Sequence, residues 1–186
     1  MPPELHVPGP AWARVATDLV GLAGLVSFVA AFWWGWVVVA LFALVLLGVA
    51  VPRIARLPGA LQSVSGATLI LGAWAATLDW YVAVPALDLV VHALANGLLA
   101  AVLVLAMVRT RLLPRALPRV TTVLLTASVG ALLAVLWEAG EWLGHTWLDD
   151  SIGVGYDDTV GDLMSGTLGS AATGLALAMT GRSRSD

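Results

Sequence analysis

The sequence predicts an all-α, polytopic membrane protein with six transmembrane helices, and three observations predict it. Of 186 residues, 60% are hydrophobic and only 11% are charged, whereas soluble chains carry roughly a quarter charged residues. Mean hydropathy is +0.93. The apolar residues fall into long runs, each able to supply the ~20 residues that a bilayer core of about 30 Å requires. The charges are segregated, with bases at one set of run ends and acids at the other. The chain reads throughout, residues 1–186, as a single integral membrane domain.

Each span has a reason to start and stop. A cleavable leader has a short apolar core of about 7–15 residues, but residues 19–51 carry no charge and are far too long for one. Phe32-Trp33-Trp34-Gly35-Trp36 divides that run, since Trp favours the interface and Gly permits a tight turn. The first two helices are therefore placed at about residues 14–32 and 36–52. Pro52, Arg53, Arg56, Pro58 and Gly59 end the second with breakers and charge.

A third helix, about 61–79, stops at Asp79-Trp80-Tyr81. Pro85 leads into a fourth, about 86–108, whose first turns hold Asp88 and His92. Arg109 to Arg119, with Pro114 and Pro118, forms the next loop. The fifth helix, about 120–143, carries Glu138 and Glu141 near its end. Residues 144–157, containing Gly144, His145, Asp149, Asp150, Gly153 and Gly155, form the longest loop. A sixth helix, about 158–180, opens on Asp158 and Asp162.

Six crossings put both termini on one side. On that side fall Arg14, Arg53, Arg56, Arg109, Arg111, Arg115, Arg119, Arg182 and Arg184, which are all the basic residues, since the chain has no Lys. Arginine accumulates in cytoplasmic loops, so both termini are expected in the cytoplasm and the protein in the cell's inner membrane. Nine of the twelve acids fall on the far side: Asp79, Asp88, Glu138, Glu141, Asp149, Asp150, Asp157, Asp158 and Asp162. Most Trp residues lie there too, as an interfacial belt. Nothing suggests a nucleic-acid partner, because the arginines are scattered in small groups. The absence of Cys excludes disulfides and thiolate metal sites.

The far-side acids carry the chemistry. Asp88 and His92 are four apart, Glu138 and Glu141 three apart, and Asp158 and Asp162 four apart, so each pair shares a helix face. Crowded carboxylates in a low dielectric must bind a cation or take up protons. Helix N-termini favour anions by at most about 2 kcal/mol, too little for five charges. Carboxylates and imidazole projecting from several helices form the usual helix-bundle metal site. Asp88, His92, Glu138, Glu141, Asp158 and Asp162 are therefore the candidate ligands, with Glu141 and His92 the candidate catalytic groups. Oxygen ligands suit Mg²⁺, Mn²⁺ or Ca²⁺, and an added imidazole admits Zn²⁺ or iron. Ser165, Gly161, Gly166, Gly169, Ser170 and Gly174 are expected to let helices approach closely.

The two Asp-led helices also suggest a repeat. Asp79-Trp80 precedes Asp88-x-x-x-His92, and Glu141-Trp142 precedes Asp158-x-x-x-Asp162. Two hairpins, helices 3–4 and 5–6, would then be parallel copies whose leading helices face each other.

Asp88-x-x-x-His92, Trp137-Glu138-x-x-Glu141 and Asp158-Thr159-x-x-Asp162-Leu163, followed by Gly166 and Gly169, resemble the YjdF-type bacterial inner-membrane proteins over roughly residues 15–180. More distantly the pattern is similar to the VanZ-like membrane proteins, from which Leu89 and Glu141 depart. The resemblance implies a polytopic inner-membrane protein and no particular reaction. Three readings stay open. The first is a metal-dependent hydrolase or transferase acting on a lipid or lipid-linked envelope substrate, with membrane lipids as neighbours. The second is a proton- or cation-coupled transporter or channel using the same carboxylates. The third is a structural or assembly protein.

Overall fold

The computed structural model describes residues 7–180 and is helical. Among them there are seven helices and no strand. They are α1 (Ala11–Ala31), α2 (Trp36–Ile54), α3 (Gly59–Thr77), α4 (Trp80–Ala83), α5 (Pro85–Arg109), α6 (Arg119–Trp147) and α7 (Tyr156–Thr180). Arg182 and Arg184, counted above among the basic residues, lie outside the described residues.

Four helices are long and apolar enough to cross a membrane: α1, α2, α5 and α6. The other two long helices, α3 and α7, fall short because their polar residues dilute them. α3 contains Gln62, Ser63 and Ser65, and α7 contains three acids and a run of Gly, Ser and Thr. Large apolar side chains point outward, with Leu19 60% exposed, Leu132 59% and Leu168 66%. Exposed apolar surface of that extent needs a non-aqueous partner. The inward faces of α1 and α7 are mostly small or polar, whereas α2 and α5 bury Phe42, Val45, Val102 and Val104.

One compact unit comprises α1–α4. α1 buries Ala13, Thr17, Gly24, Ser27 and Ala31, a seam of small residues that lets backbones approach. Val20 and Val49 fill the space above Gly66 on α3. The Thr17 hydroxyl donates to the carbonyls of Ala13 (2.8 Å) and Gly59 (3.0 Å), pinning the start of α3 to α1. Trp74 donates to Ser27 Oγ at 3.0 Å and packs its ring 5.0 Å from that of fully buried Phe42. Arg53, on the last turn of α2, meets Asp18 at 2.7 Å. Helix α2 does not stop at Pro52, as the breaker predicts, but runs on to Ile54. Its chain then turns at Arg56, which holds a left-handed φ of 52°.

The second unit comprises α5 beyond Pro85, α6 and α7. On α7 the buried residues are Asp162, Gly166, Ser170 and Gly174, spaced by four. This is one stripe of the helix surface, and it forms the seam with both neighbours. Gly169 lies against the Ala93 carbonyl of α5, and Gly166 against Asn96. A Cβ on Gly130 of α6 would collide with Ser170, and one on Gly174 would meet Thr126 and the Val123 backbone at 3.0 Å. The Ser170 and Thr173 hydroxyls return to their own helix, donating to the carbonyls of Gly166 and Gly169.

One expectation is corrected here. Residues 144–147 belong to α6, so His145 is helical and the loop is confined to 148–155. The reason is local. His145 Nδ1–H donates to the Ile152 carbonyl at 2.7 Å, and the Gly144 carbonyl accepts from the Leu148 and Asp149 amides. The loop thus folds back onto the helix end and extends it. Within the loop, Ser151 gives Asp149 both a backbone and a hydroxyl hydrogen bond, which holds its carboxyl below the usual carboxylate range.

Candidate metal centre

Three of the six sequence-derived ligands converge. Asp88 lies in the first turn of α5, His92 one turn later, and Asp162 on the second turn of α7. One ligand atom from each lies within 4.8 Å of the other two. His92 Nε2 is 3.5 Å from Asp88 Oδ1 and 3.7 Å from Asp162 Oδ2. Both separations exceed the about 2.7–2.9 Å of a charge-assisted hydrogen bond. Both approach the roughly 3.3–3.5 Å that separates two donors on one tetrahedral ion with bonds of 2.0–2.1 Å.

Burial adds a second observation. Asp162 is 2% exposed, and its Oδ1 is buried without a hydrogen-bond partner. A buried, unpaired carboxylate oxygen is costly, and it heads the same stripe that packs α7 into its neighbours. Helix packing therefore forces this carboxylate inside, where it must either meet a cation or take up a proton. Half-buried Glu138 of α6 has an Oε1 in the same condition.

The remaining candidates surround the trio without joining it. Glu138 acts electrostatically on His92, Asp162 and Glu141. Asp158 acts on Asp88, His92, Glu141 and Asp162. Asp158 is exposed in the first turn of α7, whereas Glu138 and Glu141 are half-buried. Trp137 engages Glu141 one turn further on, and its ring centroid stands 6.4 Å from the His92 ring. Trp137 thus borders the site as well as the belt, and its position beside Glu138 was the available signal. No Lys or Arg occurs between Arg56 and Arg109 or between Arg119 and Arg182, and among the described residues none pairs with these acids.

Asp79, Asp149, Asp150 and Asp157 are not part of the trio. Asp79 precedes the single turn of α4 in a left-handed conformation, φ 56°, with no side-chain capping bond. His145 serves the 148–155 loop.

A family model described as "Predicted membrane protein (DUF2238)" matches residues 13–183. This is the YjdF-type family, and the comparison gives no support to the VanZ-like relationship. No curated protein and no solved structure matches the chain.

Proposed function

We propose that the chain, which belongs to the DUF2238 family of predicted membrane proteins, holds a divalent cation between Asp88, His92 and Asp162 and uses it on a lipid or lipid-linked substrate. The observation that carries this reading is His92 Nε2 standing between two carboxylate oxygens, 3.5 and 3.7 Å away, while the second oxygen of Asp162 is buried and unpaired. Two oxygens and one imidazole suit Mn²⁺, Zn²⁺ or iron better than Ca²⁺, which takes 6–8 oxygens. Glu138 is the natural fourth ligand. A cation held there would supply Lewis acidity toward a phosphoryl or acyl oxygen and would lower the pKa of water bound to it. Glu141, held beside Trp137, would take the proton, and exposed Asp158 would draw cations toward the trio.

The topology belongs to the same proposal. α3 and α7 also cross the bilayer, making six spans with both termini in the cytoplasm. Each buries small or polar residues within its own unit, Gln62, Ser63 and Ser65 on α3 and Asp162 and Ser170 on α7, which is why their composition looks less like a span. Asp88 and Arg109 are 21 residues apart on α5, or about 31 Å at 1.5 Å per residue, close to the thickness of a hydrocarbon core. Bases inside thus leave the acids at the outer leaflet. Exposed Leu89, Val90 and Val160 beside the trio suit a substrate arriving sideways from lipid. A through-pathway for ions is disfavoured, because α5 has no ionisable residue between His92 and Arg109.

Elemental analysis of protein purified without chelator tests the reading. The expected result is about one divalent ion per chain, lost in Asp162→Asn; background metal in the unaltered protein would remove the claim. The chain has no Cys, so single cysteines at Ala116 and Asp150 report sidedness through impermeant thiol reagents. Labelling of both from the same side would reject the topology.

A further inference from the structure

The other end of the second unit carries a feature that the metal centre does not explain. Arg109 ends α5, Arg111 and Arg115 lie in the α5–α6 connection and Arg119 opens α6, and no Asp or Glu occurs between Asp88 and Glu138. All four are exposed, and among the described residues none of them forms an ion pair. Arg109 ends α5, where the helix dipole tolerates one positive charge. That leaves three charges with no ion-pair partner among the described residues.

The loop shapes these arginines into a site. Arg111 holds φ +65°, a left-handed conformation in which a long side chain is uncommon. Beside it the Leu113 amide donates to the Met107 carbonyl at 3.2 Å, turning the chain back over the end of α5. Arg111 and Arg115 consequently border two adjoining depressions that are open to the surroundings. One, of about 580 Å³, is completed by Leu112, Leu113 and Pro114; the other, of about 300 Å³, by Val108 and Arg109. Charges that only orient a chain in a membrane need no shared recess. Leu112 is 76% and Val120 69% exposed, so apolar side chains flank the arginines at the end of two membrane-length helices.

We infer that this loop is a binding site for the phosphodiester headgroup of an anionic phospholipid, with Arg111 and Arg115 on the phosphate and Leu112 sunk among the acyl chains. Guanidinium forks match phosphate oxygens in pairs, and basic pockets at helix ends are a recurrent lipid-recognition device. A free phosphate would gain nothing from Leu112 and Val120, which is why the lipid is the favoured source. The site is independent of the metal centre.

Native mass spectrometry of the full chain in detergent, titrated with phosphatidylglycerol, phosphatidylcholine or inorganic phosphate, tests this. Phosphatidylglycerol is expected to be retained and phosphatidylcholine not. Arg111→Gln with Arg115→Gln should weaken retention about fivefold for each arginine removed. Because a strained position can alter folding, Arg111→Gly provides a second variant that keeps the turn while removing the charge, and it should lose about fivefold by itself. Equal retention of the two lipids, unchanged retention in the folded variants, or displacement of the lipid by millimolar phosphate would each overturn the proposal.

Discussion

Asn96 and Gly166 touch one turn below His92 and Asp162. A Cβ on Gly166 would stand 2.8 Å from Asn96 Nδ2, and the same amide donates to the His92 carbonyl at 3.1 Å. Because residues four apart share a helix face, this contact fixes the register that puts His92 beside Asp162. The packing seam and the candidate metal centre are two ends of one stripe.

Glycine-to-alanine substitutions along that seam should therefore differ in a foreseeable order. At Gly169 the new methyl meets the Ala93 backbone carbonyl, which cannot step aside, so destabilisation of about 1–3 kcal/mol is expected. At Gly166 it meets a side chain that can shift, and the cost should be smaller. Away from the seam, at Gly21 of α1, nothing lies within 4 Å, so Ala should be neutral or stabilising by up to about 1 kcal/mol. Thermal unfolding in one detergent checks the ranking.

Metal affinity should rank the acids by position. Asp162→Asn, which removes a buried charge while keeping shape, is expected to weaken binding by more than about 100-fold. Glu138→Gln should cost about 10–100-fold and Asp158→Asn less than either, because Asp158 is exposed. Binding must displace protons from the same groups, so metal is expected to be lost as pH falls. Isothermal titration across a pH series measures both; a larger loss from Asp158→Asn than from Asp162→Asn would contradict the assignment.

Thr17 makes a separate test in the first unit. Its buried hydroxyl bridges two carbonyls on different helices. Thr17→Val preserves volume and removes both bonds, leaving the Gly59 carbonyl with only its partner within α3. A loss of about 0.5–1.5 kcal/mol is expected in chemical unfolding.

His145 is predicted to latch the loop and to bind no metal. His145→Ala removes the 2.7 Å bond to the Ile152 carbonyl. Hydrogen exchange should rise across residues 148–155, while bound metal stays unchanged. A fall in metal content would mean that His145 reaches the site after all.

The helical class and the break at Phe32–Trp36 follow directly from apolar run length and interfacial aromatics, which act locally. So does the placing of Asp88 with His92 and of Asp158 with Asp162, because helical spacing alone puts residues four apart on one face. The extension of α6 through His145 does not, since it depends on a hydrogen bond to a residue seven positions on. Gly144 and its neighbouring glycines read as loop for the same reason.

By itself the sequence determined an all-helical membrane chain with its acids and bases at opposite ends, because hydropathy and charge are properties of each segment alone. Only the tertiary structure decided which acids meet. Asp158 and Asp162 share one face of α7, yet Asp158 in the first turn stays exposed while Asp162, one turn further in, is buried at the head of the glycine stripe. That choice rests on how closely two backbones approach, which is settled between helices and written in neither one.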